Sequence, residues 1–175
     1  SDLYTFNPRT KTYQQLTHDH WDDQAARFAL DDKYIVFSSD RPEDSIKTTS
    51  FKRAEFPRSI PNNDIFLYDY TNRSEQLIRL TNTPGVNEYQ PSMFDATHFT
   101  YLSDENGITN RMISTLDSTI AYVDTAIHYR YIVKALPATN YSRNIIEQDI
   151  NNASTRLAEI NRLNNRYQIY LHPTA

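Results

Sequence analysis

The sequence contains no cysteine and only two glycines, Gly85 and Gly107. Without cysteine the chain cannot form disulfides, thiolate metal sites or a cysteine nucleophile. Two glycines are too few for a glycine-rich phosphate loop, and neither is placed to form the tight nucleophile elbow of many hydrolases. These absences argue against most nucleotide-binding and hydrolase folds. We therefore expect no catalytic residues, no cofactor and no enzymatic activity.

The chain also lacks a surplus of positive charge and a long apolar run. Its 175 residues include 18 Lys and Arg against 22 Asp and Glu, which gives a net charge of -4. Dedicated nucleic-acid binders usually carry a basic face and a high pI. No apolar run approaches the ~20 residues that a membrane-spanning helix needs. We expect no nucleic-acid partner and no membrane span.

An internal repeat organises the first two thirds of the sequence. Four pairs of residues share one offset of 64: Leu16 with Leu80, Asp31 with Asp95, Phe37 with Tyr101, and Ser39 with Ser103. The stretch from Pro42 to Pro61 has no counterpart in the second unit, and removing its 20 residues leaves 44. A propeller blade takes about 40–45 residues. The spacing therefore predicts two blades with a loop inserted after the first.

The residues within each unit alternate between apolar and polar types over short runs, separated by turn residues. Such runs, rich in the chain's 13 Tyr and 8 Phe, are typical of β-strands. We predict an all-β partial β-propeller with a C-terminal helix: about two four-stranded blades plus an aberrant third. The predicted organisation is propeller blades over 1–113 (blade one 2–41, inserted loop 42–61, blade two 64–107) and an irregular β segment over 114–137. A linker and amphipathic helix follow over 138–175.

The repeat resembles the blade of TolB-like propellers over roughly residues 2–113. The residues that carry the resemblance are Leu16-Thr17, Asp22-Asp23 and the run Ile35-Val36-Phe37-Ser38-Ser39-Asp40-Arg41. Pro91 matches a proline of that repeat, whereas Glu105 stands where its arginine would be. The resemblance implies a non-enzymatic, periplasmic or cell-envelope scaffold for protein–protein interaction. Its partner would be another protein or the remaining blades of a longer parent chain, with self-association also open.

Two other functions remain open from the sequence. Similar blades occur in prolyl-oligopeptidase-type serine peptidases, so the chain could be the propeller portion of such an enzyme whose catalytic domain is absent here. The many tyrosines and Trp21 also allow a carbohydrate-binding propeller.

The final segment changes period. Asn144 and Glu147 form a helix-start signature, and apolar residues follow with spacings of 4, 3, 4 and 3: Ile146, Ile150, Ala153, Leu157 and Ile160. This spacing predicts an apolar helix face. We expect Ile150, Leu157 and Ile160 on that face to pack on the β part or on a partner helix.

Two further stretches are candidate sites. The inserted loop combines basic and aromatic residues, and we expect it to be a solvated, partly mobile loop. The alternative is a partner-binding loop, whose contact residues would be Phe51, Lys52, Arg53, Phe56 and Arg58. His18 and His20 lie two residues apart near carboxylates, but the equivalent stretch from Asn82 to Gly85 has no ligand residues. We therefore expect no metal at the two histidines.

Overall fold

The computed structural model describes residues 1–46, 62–123, 127–151 and 153–174. The described residues form thirteen β-strands: β1 Tyr4–Asn7, β2 Thr12–Gln15, β3 Asp23–Ala29, β4 Tyr34–Ser39, β5 Asp64–Asp69, β6 Ile78–Arg79, β7 Glu88–Met93, β8 His98–Ser103, β9 Asn110–Val123, β10 Ile127–Pro137, β11 Ile145–Ile150, β12 Arg156–Leu163 and β13 Arg166–Pro173. No helix that could cross a bilayer occurs in these ranges.

The strands form four antiparallel sheets. An N-terminal hairpin joins β1 and β2, and the first sheet has the order β3-β4-β5-β6. The second sheet has the order β7-β8-β9-β10, and the third has the order β11-β12-β13. The first strands of these three sheets are neighbours, since β7 contacts both β3 and β11. The predicted all-β, partial-propeller architecture agrees with this arrangement.

The sheets group the strands differently from the predicted blades. The strands of predicted blade one, 2–41, fall in two sheets, because β3 and β4 belong with β5 and β6. The predicted loop 42–61 thus connects β4 and β5, which pair directly from Tyr34↔Asp69 to Ser39↔Asp64. The sequence repeat gives the period of the units. It cannot show at which strand a sheet begins, because the repeat length is the same whichever strand is counted as the first.

The predicted C-terminal helix is wrong, because residues 145–173 form the third sheet. Ile150 and Leu157 are cross-strand partners at the end of β11 and the start of β12. Between them, the Asn151 side chain accepts hydrogen bonds from the amides of Thr155 and Arg156, each at 2.9 Å. The seven-residue spacing of Ile150 and Leu157 therefore arises from a turn between two paired strands and not from two turns of a helix.

A second turn explains the asparagines that the helix prediction placed on a polar face. Asn164 and Asn165 connect β12 and β13, and both adopt left-handed backbone angles, with φ of 50° and 59°. Asparagine tolerates this conformation, and two such residues in succession form the turn that best fits a two-residue hairpin. The pair therefore promotes a hairpin, in which Leu163 faces Arg166.

The same pair of hydrogen bonds, called the threonine joint below, occurs at three places in the chain. In each joint a strand amide donates to a threonine hydroxyl: Leu3 to Thr17 at 2.8 Å, Ile65 to Thr81 at 2.8 Å and Arg111 to Thr139 at 2.9 Å. The amide before each threonine donates back to the same strand residue, from Leu16 to Leu3, Leu80 to Ile65 and Ala138 to Arg111, each at 2.8 Å. The third joint has no leucine before its threonine.

Two apolar clusters hold the first half of the molecule together. One lies between the first and second sheets and contains Ala29, Val36, Ile65, Leu67, Leu80, Phe99, Tyr101 and Leu116. The other lies between the N-terminal hairpin and the first sheet and contains Leu3, Ile35, Phe37, Phe66, Tyr68 and Leu77. Neighbouring residues of β4 fall in opposite clusters, as alternation along a strand requires. The first sheet is therefore covered on both faces.

Candidate functional site

The structure describes only three of the residues predicted to bind a partner. Phe51, Lys52, Arg53, Phe56 and Arg58 lie outside the described residues. Ile150 and Leu157 are buried at 7% and 6% exposure, while Ile160 is only partly buried. Ile160 pairs with Glu147, so it projects from the opposite face of the third sheet. The three residues therefore do not form one contact surface.

The sequence predicts no metal at His18 and His20, and in the structure His18 lies beside polar side chains. The Nδ1 atom of His18 lies 3.8 Å from the carboxylate of Asp2 and 3.2 Å from the side-chain amide of Gln15. Within the described ranges, no three His, Asp or Glu side chains are grouped so that they could hold a metal ion.

A buried ion cluster lies where β4 leaves the first sheet. Arg41 donates to both carboxylate oxygens of Asp23, at 2.7 and 2.8 Å, and lies 3.2 Å from Asp19. Its other nitrogens donate to the Ser39 hydroxyl at 3.0 Å and to the Ser45 carbonyl at 2.8 Å. Burial raises the pKa of Asp23, and the Arg41 charge opposes that rise. The arginine is fully engaged and serves to fix the chain after β4.

Two further arginines are engaged in the same way. Arg79 pairs with Asp64 and, at 2.7 Å, with Asp44. Arg111 donates to Gln148 at 2.7 Å and to Glu159 at 2.6 Å, joining the second sheet to the third. All three arginines are neutralised by carboxylates of this chain. These three side chains therefore hold parts of this chain together.

A cleft opens between the first strands of the three sheets. It has a volume of about 1150 Å³ and is lined by β3, by the turn from Leu30 to Lys33, by the end of β7 and by the turn after β11. Arg27 on β3 forms an ion pair of 2.8 Å with Asp149 on β11. The cleft is thus formed by three sheets together, at the end where their first strands finish.

The turn at the mouth of this cleft is conformationally unusual. Leu30, Asp31 and Asp32 have successive φ angles of 52°, 58° and 60°, although none of them is glycine. Each left-handed residue costs about 1 kcal/mol or more, and such residues concentrate at functional sites. The Asp31 side chain is 93% exposed and lies 4.0 Å from Lys33. The turn therefore presents carboxylates to solvent from a fixed backbone.

Sequence reasoning marked Asp31 and Asp95 as repeat positions but did not identify them as site residues. The structure places both in turns that line the cleft. The only available signal was the run Asp31-Asp32-Lys33 at a hairpin turn, and a turn of that composition usually has no ligand. That the two turns share a cleft follows from the contact between β3 and β7, which no local pattern indicates.

Comparison with known proteins identifies the fold. No protein-family model matches the chain, and no curated protein matches it. The crystal structure of TolB from Acinetobacter baumannii superposes with a TM-score of 0.64 over 99% of this chain, at 15% sequence identity. The match covers 35% of that TolB chain, so the present chain spans about a third of its length. The resemblance found in the repeat is confirmed at the level of structure: the chain has a TolB-like propeller fold.

Proposed function

We propose that the chain is part of a non-enzymatic propeller scaffold of the cell envelope, which binds a protein partner through the cleft between β3, β7 and β11. The observation that carries the proposal is the cleft itself, about 1150 Å³ and lined by turns with exposed carboxylates. The TolB-like fold supports a scaffold in the periplasm. Three arginines with little exposed side chain, Arg41, Arg79 and Arg111, are bound to the chain's own carboxylates.

The charge around the cleft indicates what the partner presents. Three acidic residues, Asp31, Asp32 and Asp95, line the cleft together with two basic ones, Arg27 and Lys33. Arg27 is itself paired with Asp149 on β11, so the carboxylates are in excess. A complementary partner would insert a loop that carries Lys or Arg side chains. Complementary charge raises association rates and selects partners more than it increases raw affinity. The expected contact is therefore specific, fast and sensitive to salt.

The test uses a double substitution that keeps the turn's backbone. Asp31→Asn with Asp32→Asn removes two charges, and asparagine tolerates left-handed φ as well as aspartate does. The partner is captured from the cell envelope of the source organism, identified by mass spectrometry, purified and titrated by calorimetry. We expect the double variant to bind at least fivefold more weakly at low salt, with less difference at high salt.

A matched control separates the cleft from general surface charge. Glu105→Gln with Glu147→Gln also removes two exposed carboxylates, and neither residue lines the cleft. This control should bind like the unsubstituted chain. Equal weakening by both double variants would show that the partner responds only to net charge, and no weakening by either would place its site elsewhere.

A further inference from the structure

Glu88 occupies the junction between the first and second sheets. It is the first residue of β7, and its amide donates a 2.8 Å hydrogen bond to the carbonyl of Asn63, immediately before β5. The amide of Asn63 in turn donates to the side chain of Asn87 at 3.4 Å. Glu88 is 3% exposed. Its carboxyl group is therefore enclosed where the two sheets meet.

The first sheet shows what accompanies a carboxyl group at this position. Asp23 begins β3 and pairs with Ser39, as Glu88 begins β7 and pairs with Ser103. Two residues after Ser39 the chain supplies Arg41, which binds both oxygens of Asp23. Two residues after Ser103 it supplies Glu105, which is exposed. The second sheet thus keeps the buried acid and has lost its cation.

Hydroxyl groups only partly replace that cation. Thr83 donates to Oε1 of Glu88 at 3.2 Å, and the nearby Thr81 hydroxyl also acts to lower the pKa of the carboxyl group. The Oε2 atom is buried, and no described residue forms a hydrogen bond with it. An unsatisfied buried charge is among the costliest groups in a protein.

The charged neighbours make ionisation still less favourable. Asp64 on β5 and Glu105 in the turn after β8 both act on Glu88 as like charges. The nearby cation, Arg79 at the end of β6, is bound to Asp64 and Asp44. On β8, burial raises the pKa of Tyr101 to about 12, so that side chain stays neutral.

The last charged group beside the junction is Asp104. Its two carboxylate oxygens accept hydrogen bonds from the backbone and side-chain amides of Asn87, at 2.7 and 2.8 Å. Asp104 therefore adds a further negative charge and no cation. On the strands that contact β7, the basic residues are Arg27 on β3 and His98 on β8, and they are paired with Asp149 and Asp95.

We propose that Glu88 makes the junction of the first and second sheets sensitive to pH near neutrality. With Glu88 protonated, the carboxyl group is accommodated and the Asn63–Glu88 contact is closed. With Glu88 ionised, an uncompensated charge next to Asp64 loosens that contact, and the two sheets separate more readily. This property belongs to the fold and does not depend on the cleft described above.

The direction of the effect follows from proton linkage. Burial, the largest cause, raises the pKa of Glu88 from 4.5 to about 7. Between those two values the unfolded chain releases the proton while the folded chain keeps it, so stability falls as pH rises. The loss begins near pH 4.5 and levels off above about pH 7. A raised pKa in an acid thus favours the folded state at low pH.

The first experiment measures the unfolding equilibrium of the full chain against pH. From pH 5 to pH 8, Glu88 should increase the unfolding equilibrium constant on the order of fiftyfold to a hundredfold. Glu88→Gln, which keeps the shape and cannot ionise, should lack this increment. Glu105→Arg, which restores the residue type found at Arg41, should also remove it by pairing with the ionised carboxylate.

A direct titration covers the case in which a variant fails to fold. The side-chain carboxyl carbon of Glu88 in the unsubstituted chain, followed by nuclear magnetic resonance, should titrate near pH 7, and hydrogen exchange at the Glu88 amide should accelerate across the same range beyond its intrinsic rate. A titration midpoint below pH 5 would overturn the proposal. So would an undiminished pH dependence in Glu88→Gln, or a steeper one in Glu105→Arg.

Discussion

The two interfaces between neighbouring sheets are built from different chemistry. The first and second sheets meet through an apolar cluster in which Val36, Leu67 and Phe99 are completely buried. The second and third sheets meet through polar side chains, because Arg111 reaches Gln148 and Glu159. Yet the same threonine joint precedes both contacts, at Thr81 and Thr139.

This difference shows which part of the repeat is needed for the fold. The backbone joint recurs in every unit, so it can orient consecutive strands whatever lies between the sheets. The side chains between sheets can differ in chemistry, and most buried polar groups in proteins are paired. Glu88 is an exception here, because its Oε2 atom is buried without a hydrogen-bond partner among the described residues. Apolar packing tolerates the loss of a contact by partial collapse, whereas a buried ion pair does not tolerate the loss of one partner. The two interfaces should therefore respond differently to substitution.

The largest effect is expected at the polar interface. Arg111→Ala removes the guanidinium that binds Glu159, which is 2% exposed. The Asn161 side-chain amide, at 3.2 Å, and the His172 ring, at 3.3 Å, remain beside that carboxylate but do not replace the permanent charge of the arginine. Stranding a buried charge costs about 3–5 kcal/mol, so we expect a loss of that size in the free energy of unfolding measured by urea denaturation. Replacing Arg111 with Met and Glu159 with Leu together should recover most of it. If the double variant is as unstable as Arg111→Ala, the stranded charge is not the cause.

A somewhat smaller effect is expected at the apolar interface. Leu67→Ala removes buried methyl groups from the centre of the cluster between the first and second sheets, which costs about 2–5 kcal/mol. The volume-conserving control Leu67→Met should cost less than about 1.5 kcal/mol. Both are measured by the same urea denaturation. A loss for Leu67→Met as large as that for Leu67→Ala would mean that shape, and not volume, limits this interface.

The smallest effect distinguishes the two faces of the third sheet. Leu157, 6% exposed, shares the face that carries Glu159 towards the second sheet, whereas Ile160 lies on the other face. Leu157→Ala should cost about 2 kcal/mol or more, and Ile160→Ala clearly less, because part of its surface already contacts water. Circular dichroism during thermal unfolding gives both values. Equal losses would indicate that both faces are buried in solution.

Much of the propeller could be predicted from local sequence. The offset that pairs Leu16 with Leu80 and Phe37 with Tyr101 corresponds in the structure to equivalent strands and to equivalent threonine joints. The sequence did not predict the third threonine joint, because Ala138 precedes Thr139 where the other two joints have leucine before the threonine. Glu105 in place of arginine was visible in the sequence, but its consequence for Glu88 was not. That consequence depends on burial, which a linear pattern does not report.

The C-terminal segment shows where local patterns fail. Apolar spacings of 4 and 3 fit a helix, but they also fit two strands joined by a turn when Ile150 and Leu157 face each other across it. The poor helix propensity of the asparagines favoured the turns, and two left-handed residues at Asn164 and Asn165 allow a tight hairpin. Packing of Gln148 and Glu159 against Arg111 then fixes the sheet.

The sequence alone determined the repeat, because the same residue types recur at one offset of 64. It also determined the β-rich character of the units and the turn residues between their strands, because these depend on neighbours a few positions apart. Only the tertiary structure could determine which strands share a sheet, which acids are paired and which turns form the cleft. Those properties depend on residues far apart in the chain, such as Tyr34 and Asp69 or Arg111 and Glu159. Their free energies arise from burial and charge pairing, which exist only once the sheets are assembled.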